Sequence, residues 1–158
     1  MLGTQILVTG EPKGRFDEGI IVGTPKPGTV MEIVPATEPV GGRHSYQVAT
    51  PGGDGQRTPV CVLLEDGEGQ SYDDAYVAGN RARVYYPAPG EDVNVRVTAS
   101  GTATSDSQAI GDKYIVESGT GLLLATTGSP ESEPFMCMET LSDVVAAGTV
   151  TWCQATGQ

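Results

Sequence analysis

The sequence predicts a mainly β protein, an antiparallel β-sandwich or barrel with an extended N-terminal arm and at most one short helix. The 158 residues include 22 Gly and 11 Pro, residue types that favour turns. Apolar residues occur in strand-length runs separated by clusters of Gly, Pro and Asp, a pattern typical of antiparallel strands. Only residues 139–148 place apolar side chains at helical spacing, and Gly148 follows them as a helix cap.

The first part of the chain is predicted to be an arm over residues 1–26, followed by a β-rich domain over residues 27–158. Five of the 11 prolines fall in the first 43 residues. Proline lacks a backbone donor and is excluded from central strands, so an extended segment or edge strands are expected there. The alternative is that the segment supplies ordinary strands, and residues 29–34 do have that pattern. We expect the arm to contribute little to the core, so that deleting residues 1–18 would leave a folded protein.

The domain contains further strand-length runs that follow one another closely. Residues 87–90 place Pro and Gly where a type II turn requires them, so 84–97 is predicted to form a hairpin. Beyond this loop three valines alternate with polar residues, which predicts one buried face. No internal repeat of useful period is visible. The predicted strands are 44–50, 59–65, 81–86, 92–98, 113–117, 121–126, 134–139 and 149–154.

The charge pattern excludes several classes of partner. The net charge is −11, and no Lys or Arg follows Lys113, so the basic surface that a nucleic-acid binder needs is missing. No apolar run is long enough to span a bilayer, and the first residues lack the apolar core of a signal peptide. We therefore expect a soluble protein made in a reducing cytoplasm. Cys61 and Cys137 lie in apolar runs and, with Cys153, are expected to be reduced thiols.

The residues offer little support for catalysis or for a bound cofactor. His44 is the single histidine, so it would have to serve any His-dependent triad or zinc site, and a strand-end position is the simpler interpretation. The acidic stretch 65–74 could cage calcium, but its spacing lacks the glycine of an EF-hand loop, which favours a solvated loop. No phosphate-binding loop is present. We expect no catalytic residue, no metal and no cofactor, and therefore no enzyme.

Three arginines are predicted to share one face of the hairpin. Arg81 and Arg83 alternate on one strand, and Arg96 is expected to point outward from the partner strand. Such a face could bind carboxylates of a partner protein in a bidentate manner. The alternative is a solvated face paired with local Asp or Glu.

The order of these segments resembles that of head decoration (capsid cement) proteins of tailed bacteriophages. Residues 59–66 resemble the "GVLLED" strand of that family, with Cys61 in place of the usual small residue. Residues 110–114 resemble its "GDKL" turn into a strand, and an apolar strand, a short Ala-rich segment and residues 150–153 close the pattern. The resemblance extends from about residue 19 to residue 154. It is one of order and local pattern, and no single motif is diagnostic.

The resemblance implies a non-enzymatic structural virion protein that binds the outer surface of the mature capsid as a homotrimer. Its partner would be the major capsid protein, with no nucleic acid, membrane or cofactor, and its location would be the capsid exterior after assembly in the host cytoplasm. The alternatives are a tail-tube or fibre-associated virion module, or a carbohydrate-binding β-sandwich, which the 6% aromatic content disfavours. The candidate capsid contacts are Ile6, Leu7 and Val8 in the arm and Arg81, Arg83 and Arg96 in the domain.

Overall fold

The fold is known from a computed structural model that describes residues 5–7, 11–49, 60–66, 70–98, 110–117, 119–126, 134–139 and 146–156. These residues form strands joined by turns and loops and contain no helix, so the predicted mainly β class is confirmed. The predicted helix at 139–148 lies largely outside the described residues. The strands are β1 (Arg15–Ile21), β2 (Val30–Ile33), β3 (Ser45–Val48), β4 (Cys61–Leu63), β5 (Arg81–Tyr86), β6 (Asp92–Val97), β7 (Lys113–Val116), β8 (Leu123–Thr126), β9 (Phe135–Cys137) and β10 (Thr149–Ala155).

The strands close into two barrels in tandem. The first barrel has the order β1-β3-β2-β4-β5, with β5 returning to pair with β1. The second has the order β10-β6-β8-β7-β9, with β9 returning to β10. Within each barrel one pair of strands is parallel, β1 with β3 and β6 with β8, and the other four pairs are antiparallel.

The two barrels are copies of one topology, which contradicts the expectation that the chain contains no internal repeat. If β1 to β5 are matched in order with β6 to β10, every pairing in the first barrel has its counterpart in the second. The register matches as well. Tyr46 and Leu123 occupy equivalent positions in the third strand of their barrels. Each is paired on one side with a residue of the first strand and on the other side with a residue of the second strand. These pairs are Ile21↔Tyr46, Ile33↔Tyr46, Val97↔Leu123 and Val116↔Leu123.

The turn before the last strand of each barrel shows the same duplication in atomic detail. Gly79 precedes β5 with φ +84° and Gly148 precedes β10 with φ +86°. The Gly79 amide donates to the Ile21 carbonyl at 2.9 Å, and the Gly148 amide donates to the Val97 carbonyl at 2.8 Å. Both positions require the left-handed backbone that glycine adopts without strain. The shared Ala-Gly dipeptide at 78–79 and 147–148 is the sequence trace of the repeat.

Equivalent loops of the two barrels differ in length, and this difference made the repeat undetectable as a fixed period in the sequence. The loop between β2 and β3 covers residues 34–44, whereas its counterpart between β7 and β8 covers residues 117–122. Because the offset between matched strands changes at each such loop, no fixed period runs through the chain.

The cores of the two barrels differ in extent. The first barrel encloses its own cluster of buried residues, which includes Tyr76, whose hydroxyl donates to the Leu64 carbonyl at 2.7 Å. The second barrel's cluster extends outside that barrel to include outward-facing residues of the first, so one apolar layer joins the two. The residues of the first barrel in this shared layer are Val30, Ala49, Val62, Leu64 and Tyr85.

Backbone hydrogen bonds reinforce this junction at the segment before β2. The Arg96 amide of β6 donates to the Gly28 carbonyl at 2.9 Å, and the Val30 amide donates to the Gly121 carbonyl at 2.9 Å. The first barrel therefore bridges β6 and the start of β8. Gly121 has φ +66°, and a Cβ there would lie 2.6 Å from the Val30 carbonyl oxygen, so only glycine fits this contact.

The predicted arm is wrong where the structure describes it. Residues 15–21 form β1, which is paired along its length with β5, so the boundary between residues 26 and 27 does not separate an arm from a domain. Ile6 is 1% exposed and belongs to the shared apolar layer. The short apolar runs and the prolines suggested an extended segment, but this segment is extended because it is part of the barrels.

The predicted hairpin over 84–97 is also wrong, because β5 and β6 belong to different barrels. Its turn is nevertheless present. The Glu91 amide donates to the Ala88 carbonyl at 3.1 Å, and Gly90 has φ +87°, as a type II turn requires. The turn links the barrels instead of pairing two neighbouring strands.

Candidate functional site

The outer surface of β1 and β5 carries the most unusual exposed group of side chains in the described part of the chain. We call it the β1–β5 face, defined by Phe16, Glu18, Ile20, Arg81 and Arg83. Alternate residues of a strand point to the same side, and the antiparallel register places Glu18 opposite Arg83 and Ile20 opposite Arg81. Phe16 is 46% exposed, and both arginines are exposed.

Aromatic and cationic groups contact each other on this face. The Phe16 ring centroid lies 4.7 Å from that of Tyr85, with the rings tilted by 45°. The Arg83 guanidinium carbon lies 5.8 Å from the Phe16 centroid, and Arg15 lies 4.5 Å above the Tyr86 ring at the neighbouring strand end. Exposed cation–π contacts stabilise by about 0.5–1 kcal/mol each, enough to favour these side-chain positions without removing their hydrogen-bonding capacity.

A hydrogen-bonded carboxylate fixes the backbone under the face. Tyr85 is fully buried and donates its hydroxyl to Glu91 Oε2 at 2.6 Å. Glu91 also accepts the amides of Lys13 at 2.5 Å and Ala88 at 2.6 Å. Burial alone would raise the pKa of Glu91, but these donors favour its ionised form and the pKa is lowered. Glu91 therefore joins the chain before β1, the end of β5 and the link between the barrels.

A second polar group lies inside the first barrel. Tyr46 donates its hydroxyl to Asp17 Oδ2 at 2.9 Å and lies 3.2 Å from the Tyr86 hydroxyl. Burial raises the pKa of Tyr46 and of the Cys61 thiol well above their usual values, and it raises that of Tyr86 to about 12. The phenols and the thiol are therefore neutral near pH 7. A neutral buried thiol is a poor nucleophile, so this group is suited to holding the barrel interior together.

Arg96 does not lie on the outer face with the other two arginines. It is 5% exposed, with Nε donating to the Pro27 carbonyl at 2.7 Å and one terminal nitrogen donating to the Gly148 carbonyl at 2.6 Å. The other terminal nitrogen donates to the Tyr72 carbonyl and lies 3.3 Å from Asp73 Oδ1. The expected outward position of Arg96 is therefore wrong, because the first barrel covers this side of β6. The guanidinium links loops of the two barrels.

An open cleft of about 480 Å³ lies beside Arg96, between the barrels. Lys26 and Asp73 are its exposed charged residues, so the cleft has no strong preference for one sign of charge. Its remaining lining is small and polar or apolar, from Thr29, Leu122, Ala147, Gly148 and Thr149.

The arm residues predicted to contact a capsid have different environments. Ile6 is buried, and Leu7 is half-buried and paired with Val93 of β6, so both contact the second barrel. Val8 lies outside the described residues. Arg81 and Arg83 are exposed on one face, and they remain the candidates that the structure brings together.

The acidic stretch 65–74, His44 and the cysteines were the other candidate metal ligands or catalytic groups, and the structure shows the environment of those that it describes. In the acidic stretch, the Asp66 amide donates to Gln70 Oε1 at 2.9 Å and the Ser71 amide donates to Asp74 Oδ2 at 3.0 Å. His44 is half-buried just before β3. No three His, Cys, Asp or Glu side chains in the described ranges are grouped as metal ligands, and no helix there could cross a membrane. All three cysteines are buried and unpaired by disulfides.

Phe16 is the member of the face that sequence reasoning missed. It lies in the segment predicted as an arm, between charged neighbours that hide the strand pattern. The sequence carried no clear signal for it, because the small inward residue Gly19, opposite Ala82, is explained only by the Tyr46 ring, which would lie 2.2 Å from a Cβ there. No protein-family model and no curated protein matches this chain.

Proposed function

We propose that this chain is a structural, non-enzymatic virion protein that binds the outer surface of the mature phage capsid and stabilises it. The proposed partner is the major capsid protein. The observation that carries the proposal is the β1–β5 face, where exposed Phe16 lies among Arg81 and Arg83 on a barrel wall. The resemblance in segment order to head decoration proteins supports the same assignment.

The composition of the face suits protein recognition. Arginine and aromatic residues are enriched in interfaces between proteins, and arginine binds carboxylates in a bidentate manner. Both halves of the chain are acidic: residues 1–90 hold seven basic and 11 acidic residues, and residues 91–158 hold two basic residues, one of them the buried Arg96, and nine acidic ones. The positive charge offered to an acidic partner surface is therefore local to the β1–β5 face, where Arg81 and Arg83 are exposed.

The tandem architecture suits a cement role. One apolar layer and shared backbone bonds join the barrels, so contacts made by the first barrel are transmitted to the second. A protein that binds the assembled lattice in preference to its separated subunits stabilises the lattice by mass action. We further propose a homotrimer, because several faces bound to one lattice multiply a modest affinity. The location would be the capsid exterior.

The test is a capsid-binding measurement with matched charge variants. Arg81→Gln with Arg83→Gln removes two positive charges from the face, and Lys26→Gln with Lys113→Gln removes two exposed positive charges elsewhere. We expect the first pair to weaken binding to expanded capsids by tenfold or more, since charged hydrogen bonds contribute about 1.5–3 kcal/mol each. The second pair should bind within about threefold of the parent protein.

Cosedimentation with expanded and unexpanded capsids of the same phage measures the affinities, and cryo-electron microscopy gives the position of the protein. Failure of the parent protein to bind expanded capsids would contradict the proposed function. Binding to purified tail tubes in their place would favour the tail-associated alternative. Equal loss of binding in both variant pairs would remove the β1–β5 face from the interface.

A further inference from the structure

The duplication makes it possible to compare the same strand edge in both barrels. In the second barrel, the edge of β6 next to its parallel partner is occupied by the chain's own residues 5–7. The Asn94 amide donates to the Ile6 carbonyl at 2.7 Å, and the Asn94 side-chain amide donates to the Gln5 carbonyl at 2.7 Å. Leu7 is paired with Val93 in antiparallel orientation. Residues 5–7 therefore cover this edge through one antiparallel β-bridge and two hydrogen bonds.

The equivalent edge of the first barrel lacks such a strand among the described residues. Ile21 of β1 and Val97 of β6 are equivalent, because each is paired with the equivalent residue of its parallel partner strand. Glu18 and Asn94 each lie three residues earlier, so they are equivalent as well. Among the described residues, the Glu18 amide donates to the neighbouring side chain, at 2.8 Å from Asp17 Oδ1. Pairing of β1 with β3 begins at Ile20, whose amide donates to the His44 carbonyl at 3.0 Å.

The longer β2–β3 loop of the first barrel approaches this edge through a side chain. Arg43 lies 3.8 Å from the Glu18 carboxylate, and both groups retain substantial solvent exposure. The loop pairs with itself, through the Val40 and Arg43 backbones. Among the described residues it therefore borders the edge at Phe16 and Glu18 through the Arg43 side chain, without a backbone pairing to either residue.

We propose that the edge of β1 at Phe16 and Glu18 is a docking site for an extended segment of a partner protein. The segment would add to β1 as an antiparallel strand, as residues 5–7 add to β6. This mode draws its affinity from main-chain hydrogen bonds and its specificity from alternate side chains. Residues 5–7 are bound to β6, and we assign the strand at β1 to another protein. The proposal is independent of the proposed function and requires only a protein partner.

The surroundings of the edge define the chemistry of that segment. It contains no proline at the paired positions, because the strand must donate and accept main-chain hydrogen bonds. A branched apolar side chain is expected where Ile6 lies on β6. An acidic side chain is expected beside it, since two guanidinium groups, Arg43 and Arg83, border the one carboxylate of Glu18.

Amide hydrogen exchange of the full-length protein tests the first half of the proposal. The Asn94 amide, which is bonded to the backbone of residue 6, should exchange at least about tenfold more slowly than the Glu18 amide, because the Glu18 amide is bonded to the side chain of its neighbour Asp17 and that local contact opens without separation of two strands. Comparable protection of the two amides would overturn the proposal, because the edge of β1 would then already be occupied.

Binding of a probe peptide tests the second half. The probe is a synthetic peptide of residues 1–12, which contains the residues 5–7 that cover the equivalent edge, and the control peptide carries Ile6→Pro. We expect the probe to protect the Phe16 and Glu18 amides from exchange, and the control peptide to leave them unchanged. Protection of Asn94 alone, or no protection at any concentration up to the solubility limit, would overturn the proposal.

Two variants at one position give a matched control. Glu18→Pro removes the outward amide, and proline is tolerated at strand edges where the missing donor faces away from the ladder. Glu18→Ala removes the same carboxylate but keeps the amide. We expect Glu18→Pro to weaken peptide binding by about tenfold or more relative to Glu18→Ala. Equal binding by the two variants would overturn the proposal, and thermal unfolding confirms that both are folded.

Discussion

Replacement of Ile6 by alanine measures how strongly the N-terminal segment is built into the fold. Ile6 is 1% exposed and packs in the apolar layer shared by both barrels. Truncation of a buried isoleucine to alanine costs about 2–5 kcal/mol, through lost apolar transfer and a residual cavity. We expect about 3 kcal/mol for Ile6→Ala, because the barrels close around the side chain from both sides. Ile6→Val should cost only about 0.5–1.5 kcal/mol.

Urea unfolding of the parent protein and the two variants gives these differences from the transition midpoints at constant slope. In a thermal scan the alanine variant should unfold about 6–12 °C lower, since a chain of this size shifts by about 2–4 °C per kcal/mol. A loss of less than about 0.5 kcal/mol for Ile6→Ala would refute the docked position of the segment. The same reasoning reverses the expectation for deletion of residues 1–18, which would remove Ile6 and the first half of β1 and unfold the first barrel.

Three further predictions follow from other contacts. Glu91 has a lowered pKa in the folded state, so its stabilising effect is present above the unfolded pKa of about 4.3 and is lost as the pH falls through the folded pKa. Urea titrations at several pH values should therefore show that the free energy of unfolding of Glu91→Gln falls less below about pH 4 than that of the parent protein. Gly121→Ala should destabilise by clearly more than Gly23→Ala, because both glycines have positive φ but only Gly121 meets the Val30 carbonyl, and Gly23 has open space around it; equal urea midpoints would contradict the tight junction. All three cysteines should resist a thiol reagent in native buffer and react after denaturation, because they are buried and burial raises the pKa of the Cys61 and Cys153 thiols; fast labelling in native buffer would count against the two cores.

The sequence predicted most strands because alternation and turn residues are local signals. All eight strands predicted from residue 44 onward are present, and 81–86 matches β5 at both ends. The strand predicted at 29–34 is β2. The type II turn at residues 88–91 was also readable, since Pro and Gly impose their own backbone angles.

What the sequence did not reveal depends on contacts between distant residues. β1 was missed because its charged residues hide the alternation, and its inward position at Gly19 is explained only by the Tyr46 ring packed against it. The arrangement of Arg96 was misjudged because a charged residue on a strand normally faces water. Here four acceptors from loops surround the guanidinium and allow its burial. Only two of the three predicted arginines therefore contribute to the candidate site.

The coverage of the β6 edge by residues 5–7 has a consequence for solution behaviour. A strand edge with unsatisfied backbone groups is a template for pairing with other molecules, and a molecule with two such edges could link to neighbours on both sides and grow into a chain. Because the protein covers the β6 edge with its own residues, only one of these two matched edges can recruit a strand from outside. Association through them would stop at a single added segment per molecule. Loss of residues 5–7 would remove this limit and promote aggregation at high protein concentration.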